Sequence, residues 1–337
     1  MSDQYKYLRI IFMGTPEFAV ASLEALVKAK CNIVGVVTAP DKPAGRGMKL
    51  QECAVKKFAR RHKLKTLQPE KLKNPSFLEE LKSLNADLQI VVAFRMLPEA
   101  VWNMPPMGTI NVHASLLPQY RGAAPINWAI INGEKETGIT TFKLKHEIDT
   151  GDILLQEKID IGENETAGEL HDRLKELGAQ VLAKTVEGLA NGTLQEISQE
   201  NIQLSIINIQ PSNDETDSRP DSYRVTTYDS RLLKHAPKIL TQTCKIDWNK
   251  SADEIYNLIR GLSPYPGAFT ELGDKMLKVY SSEKEMLLPT TRIGRWESDK
   301  KTFLKFASAN GYIHVKDVQL EGKKRMMIEE FLRGYRF

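Results

Sequence analysis

The feature that most constrains this chain is a change of hydrophobic period near residue 191. Before it, short unbroken runs of apolar and β-branched residues, at 8–13, 33–38, 88–94 and 109–113, alternate with longer amphipathic stretches. A strand that is apolar on both faces must be covered on both faces, and helices that return between parallel strands supply that cover. The first half therefore predicts an α/β fold with a parallel-rich sheet. After Asn164, Thr166 and Glu169 have capping-box spacing, and Leu170, Leu174, Leu177, Val181 and Leu182 form one apolar stripe, so a helix should close this domain.

From Gly192 the composition turns polar, and residues 210–218 are poor in large apolar side chains and rich in turn formers. We read residues 1–205 as the first domain, 206–221 as a linker and 222–337 as a second domain. In the second, Ser251 and Glu254 box the start of a helix carrying Ile255, Leu258, Ile259 and Leu262, and the turn Ser263-Pro264-Tyr265-Pro266-Gly267 follows. The period then becomes two. Residues 277–281, 302–307 and 312–320 read as strands of a small antiparallel barrel or sheet.

With 337 residues, 41% of them hydrophobic, the chain can bury two cores. Its net charge is only +4, but residues 220–337 hold 21 basic and 15 acidic side chains, which leaves the first 219 slightly negative. Any nucleic-acid footprint is therefore local, and a plain solvated surface is the competing reading of the same charge. Cys31, Cys53 and Cys244 are odd in number and widely spaced, so neither a disulfide framework nor a zinc knuckle is readable. No leader and no apolar run of about 20 residues is visible, and a cytoplasmic protein without a membrane partner is expected.

The sharpest chemical segment is Asn111-Val112-His113-Ala114-Ser115-Leu116-Leu117-Pro118. Two residues apart on a strand, Asn111 and His113 project from one face near its carboxyl end, where open α/β sheets place their ligands. The acidic turn Glu147-Ile148-Asp149-Thr150-Gly151-Asp152 follows another strand-like run, and Asp149 is close enough in topology to join them. A carboxylate, an imidazole and a carboxamide suit acyl transfer, which needs a proton acceptor for the nucleophile and donors for the oxyanion. Alternatively, Asn111 and His113 are satisfied core polar groups and Asp149 is a turn residue. Gly14-Thr15-Pro16 is not G-x-G-x-x-G, and no phosphate-binding G-x-x-x-x-G-K-S/T, H-E-x-x-H or G-x-S-x-G occurs. No metal site is expected.

Taken in order, Phe12-Met13-Gly14-Thr15-Pro16-Glu17-Phe18, Lys42-Pro43-Ala44-Gly45-Arg46-Gly47, the segment 111–118, Tyr120-Arg121-Gly122-Ala123-Ala124-Pro125-Ile126 and Asp149-Thr150-Gly151-Asp152 resemble the methionyl-tRNA formyltransferase family. Ile246-Asp247-Trp248 and Tyr265-Pro266-Gly267-Ala268 extend the resemblance into the second domain. It implies a Rossmann-like formyltransferase domain followed by a smaller OB-like β-barrel domain, and a monomer. It also implies Asn111, His113 and Asp149 as the catalytic set, with the co-substrate 10-formyltetrahydrofolate beside Ser115, Leu116, Leu117 and Pro118. Initiator methionyl-tRNA is the implied partner, gripped by the second domain and by a loop near 42–50 whose Lys42 and Arg46 face the acceptor stem. In agreement, residues 42–65 contain nine Lys or Arg and one acid, Glu52. The chain departs from the family pattern at Gln119, at Phe94-Arg95-Met96 and in a longer linker. The rival readings are a formyltransferase for a small amine, such as a ribotide or sugar nucleotide, and a non-catalytic RNA-binding protein.

Overall fold

The computed structural model of the chain describes residues 6–44, 48–202 and 233–335. In chain order the elements of the first part are β1 (Arg9–Gly14), α1 (Glu17–Lys28), β2 (Asn32–Val37), β3 (Lys42–Ala44), β4 (Lys49–Gln51), α2 (Ala54–Arg61), β5 (Thr66–Leu67) and α3 (Pro75–Ser83). They continue with β6 (Leu88–Val92), α4 (Glu99–Trp102), β7 (Thr109–His113), β8 (Arg121–Gly122), α5 (Pro125–Ile131), β9 (Glu136–Lys143), β10 (Ile153–Asp160) and α6 (Ala167–Asn191). Thereafter come β11 (His235–Ala236), α7 (Ala252–Gly261), β12 (Ala268–Leu272), β13 (Lys275–Glu285), β14 (Trp296–Ser298), β15 (Leu304–Ala307), β16 (Tyr312–Leu320), β17 (Met326–Met327) and α8 (Ile328–Gly334).

Seven strands form the first sheet in the order β10-β9-β7-β6-β1-β2-β5. Two of the runs expected to be covered on both faces are so: Ile10, Ile11, Phe12 and Met13 have no exposed surface, and every residue of β6 is buried. Neighbours from β5 to β7 run parallel, whereas β9 runs antiparallel to β7, pairing Phe142 with Asn111 and Thr140 with His113. Strand order reverses at β1, which has β2 on one side and β6 on the other, so a crevice opens outside the carboxyl ends of β1 and β6. Gly14 is obligatory there, because a Cβ at that position would lie 2.6 Å from the Ala19 side chain and 3.0 Å from the Val92 carbonyl.

The sequence signals for helix starts hold at atomic detail. Glu169 accepts from the Thr166 backbone N–H at 2.8 Å while Thr166 Oγ1 accepts from that of Glu169 at 3.3 Å. Ser251 and Glu254 do the same for α7 at 3.2 and 3.0 Å. The segment 42–50, read as a glycine-bearing loop, is instead the stalk of a β-hairpin, with Lys42 paired to Gln51 and Ala44 to Lys49. Its tip, 45–47, lies outside the described residues, as does the linker 206–221. Within the polar stretch that begins at Gly192, Ile197 bridges to Ile153 and a helical turn opens at Gln199, so this stretch takes up structure before the linker.

The later strands form an antiparallel sheet in the order β12-β13-β16-β15-β14, with β17 pairing β16. Register shifts between Val279 and Ser282 mark bulges that curl it into a half-barrel. Leu277, Val279, Phe306, Ile313, Val315 and Val318 fill its inner face together with Ile255 and Ile259 of α7. The described residues divide into two compact units, those within 6–121, 138–158 and 172–234, and those within 122–137, 159–171 and 235–335.

Candidate active site

The first unit gathers the sequence-predicted constellation. Asn111 and His113 share one face of β7, Asn111 partly exposed and His113 buried. The chain leaves β9, turns back through 144–152, and brings Asp149 Oδ2 to 3.9 Å from His113 Nδ1, with both side chains largely buried. The backbone at Asp149 is left-handed, with φ of 54°, which an aspartate tolerates better than most residues. Gly151 is required by space, since a Cβ there would sit 1.5 Å from the Lys143 carbonyl oxygen. His113 Nε2 lies 2.9 Å from the Tyr120 carbonyl oxygen. A carbonyl only accepts, so Nε2 carries a proton and Nδ1 is the nitrogen facing Asp149.

The segment after β7 is tied down rather than open. Ser115 is buried and donates from Oγ to the Gln119 carbonyl at 2.7 Å. Thr140 Oγ1 donates to the Ser115 carbonyl at 2.6 Å and accepts from the Leu117 N–H at 3.1 Å and from Gln156 Nε2 at 2.8 Å. Gln156 also donates to the Leu117 carbonyl at 3.0 Å, and the Leu117–Pro118 peptide is cis. Leu117 and Pro118 are buried and Leu116 is half-buried, so a ligand alongside this segment meets Leu116 and backbone before it meets Ser115. Thr140 and Gln156 carry no motif by which the sequence alone marks them.

The departures from the family pattern have structural occupations. Gln119 Oε1 accepts from the Lys234 N–H at 2.8 Å. Arg95 donates from Nη1 to the Glu70 carbonyl at 2.8 Å and from Nη2 to that of Pro69, pinning the segment after β5 beside the one after β6. Between them, at the strand-order reversal, lies a cavity of about 420 Å³ lined by Thr15, Ala39, Pro40, Lys42, Phe94 and Arg95 among others. The sequence did not reveal it, because its walls come from four separate strand ends.

The basic segment is partly neutralised. Lys56 pairs with Asp41 at 2.5 Å and with Glu52 at 3.7 Å, Arg60 with Glu52 at 3.2 Å, and Lys65 with Glu80 at 3.1 Å. Lys56 and Gln68, both bonded to Asp41, hold its carboxyl below the usual carboxylate range. Lys42 is exposed at the base of the hairpin, and Met48 and Leu50, farther along it, present apolar surface; Arg46 lies outside the described residues. Among the described residues, no helix is long and apolar enough to cross a membrane, and no group of three or more His, Cys, Asp or Glu converges on a metal position.

Residues 8–186 match the family described as formyl transferase, and residues 238–336 match the formyl transferase C-terminal domain. A protein of Phocaeicola vulgatus named methionyl-tRNA formyltransferase is 51% identical over 337 residues, covering 98% of this chain and 97% of its own length. One of the same name from Azobacteroides pseudotrichonymphae is 50% identical, with 97% and 95% covered. Among solved structures, the N-formyltransferase of Helicobacter canadensis, in complex with folinic acid and dTDP-3-aminofucose, superposes with a TM-score of 0.63. It is 18% identical, over 91% of this chain and 98% of that one, a likeness of fold.

Proposed function

This chain belongs to the formyl transferase family, and from that premise we propose that it moves the formyl group of 10-formyltetrahydrofolate onto the free amino group of methionine carried by initiator tRNA. The observation that carries the catalytic part is the convergence of Asn111, His113 and Asp149 from β7 and the turn after β9. What favours a charged tRNA over a ribotide or sugar nucleotide is identity of about half over nearly the whole length with proteins of that name, together with the basic hairpin and second domain.

The neutral amine attacks the formyl carbon, a C–N bond forms, and the former carbonyl oxygen becomes an oxyanion. The Asn111 carboxamide donates to it. His113, its Nε2–H held by the Tyr120 carbonyl and its Nδ1 facing Asp149, is the second group assigned to that oxyanion. Asp149 accepts the proton that the amine loses, the bond from the formyl carbon to the folate nitrogen breaks, and the proton returns to that nitrogen. The segment Ser115, Leu116, Leu117 and Pro118 flanks the folate, residues 1–205 carry the chemistry, and 222–337 hold the tRNA together with Lys42 and Arg46. The protein works as a cytoplasmic monomer.

The test is to offer the purified protein 10-formyltetrahydrofolate with methionyl-initiator tRNA, glycinamide ribotide or an amino-sugar nucleotide, and follow formyl transfer to each. Turnover with the tRNA alone is expected. Preferential transfer to either small amine overturns the substrate assignment.

A further inference from the structure

Gln199 stands in the polar stretch after α6, where sequence patterning marks nothing, yet it is 1% exposed. Its Nε2 donates to the Asp149 carbonyl at 2.9 Å and to the Gly151 carbonyl at 2.7 Å. Its Oε1 accepts from Arg121 Nε at 3.0 Å and from Arg121 Nη2 at 2.6 Å. Arginine only donates and a backbone carbonyl only accepts, so the amide has one possible orientation and all four of its hydrogen-bonding positions are filled. Neither a carboxylate nor an apolar side chain of this shape satisfies both sides.

These bonds end on the two residues that decide where the Asp149 carboxylate lies. Asp149 is left-handed, and Gly151 passes against the Lys143 carbonyl with no room for a Cβ. Arg121 is only one residue beyond Tyr120, whose carbonyl fixes His113 Nε2. One network thus reaches both partners of the His113–Asp149 pair: Tyr120 and Arg121 through the chain, and Gln199 through its amide.

We propose that Gln199, oriented by Arg121, is a positioning residue that holds the Asp149 turn against His113; this rests on the reading of Asp149 as catalytic. A displacement of about 1 Å in a reacting group costs on the order of 10²-fold in rate, so release of the turn lowers turnover without touching the substrates. The decisive variant is Gln199→Glu, which keeps size and the Arg121 pairing but replaces the two donated bonds with an oxygen facing two carbonyl oxygens.

In the full-length enzyme, Gln199→Glu is expected to lower kcat about 10²-fold, to leave the folate and tRNA KM within about twofold, and to raise hydrogen exchange in 147–152. In an Asp149→Asn background the same change is expected to add almost nothing, since the group it positions has already lost its function. Wild-type kcat in Gln199→Glu, or a loss that multiplies with that of Asp149→Asn, overturns the proposal. Full activity of Asp149→Asn alone removes the underlying catalytic reading instead, a separate result. Should Gln199→Glu not fold, Arg121→Lys, which leaves the donors but loosens their orientation, must give the same kcat-against-KM split; its absence overturns the proposal equally.

Discussion

Asp149 and Gly151 place the carboxylate by two different physical means, a tolerated left-handed backbone and an absent side chain. Asp149→Asn keeps the shape and the backbone preference but removes the charge, so a folded protein with kcat lowered by at least about 10²-fold is expected. Equal urea midpoints with equal rates would leave Asp149 as a turn residue. Asn111→Ala is expected to cost about 10²–10³ in turnover, the usual penalty for removing one oxyanion donor, with tRNA affinity by filter binding unchanged. The period of two made Asn111 and His113 readable as a pair, because it fixes which face a strand residue occupies. It says nothing of Tyr120, whose backbone carbonyl sets the protonated nitrogen of His113, since any residue type supplies a carbonyl.

Individual elements carry their own tests. In α7 the Glu254 carboxyl accepts from the Ser251 hydroxyl and backbone N–H and from Lys250, which hold it down from 4.5 to about 2. A carboxyl whose folded pKa is depressed stabilises above its unfolded pKa and loses that contribution as pH falls through its folded one. The window for this helix is therefore about pH 4.5 down to about 2. Ser251→Ala removes the cap and is expected to cost about 1 kcal/mol in urea unfolding at neutral pH, with the loss shrinking through that window. Identical urea midpoints across the window would show the cap to be energetically silent. The hairpin β3–β4 bears the other element-scale expectation: Arg46→Ala and Arg46→Lys should both raise the tRNA KM and leave the folate KM alone, because a guanidinium fork is not replaced by an ammonium. A rise in folate KM instead would move Arg46 to the other substrate.

Across the whole molecule, the positive excess lies in residues 220–337. Neutralising phosphates releases counterions, so the binding it supports must weaken as salt rises. Replacing the exposed Arg292, Arg295, Lys300 and Lys301 by Gln in the full chain is expected to weaken tRNA binding and flatten the salt slope by as much as about 0.9 for each phosphate no longer neutralised. An unchanged slope would show that this surface does not meet the tRNA. The salt bridges illustrate why charge counting alone is not enough: residues 42–65 contain one acid, yet Asp41 and Glu80, both outside that window, pair with Lys56 and Lys65.

The sequence by itself determined the two-part organisation of periods, the helix starts at Thr166 and Ser251, and the same-face pair Asn111 and His113. Each depends on neighbours within a few residues, where periodicity and capping act. Only the tertiary structure decided the strand order that opens the cavity behind Lys42 and Arg95, and the return of the chain that sets Asp149 3.9 Å from His113. It alone linked Gln199 to Asp149 across 50 residues of sequence and to Arg121 across 78. Such pairings follow from which buried polar groups must satisfy one another once the chain is packed, and they have no local signature.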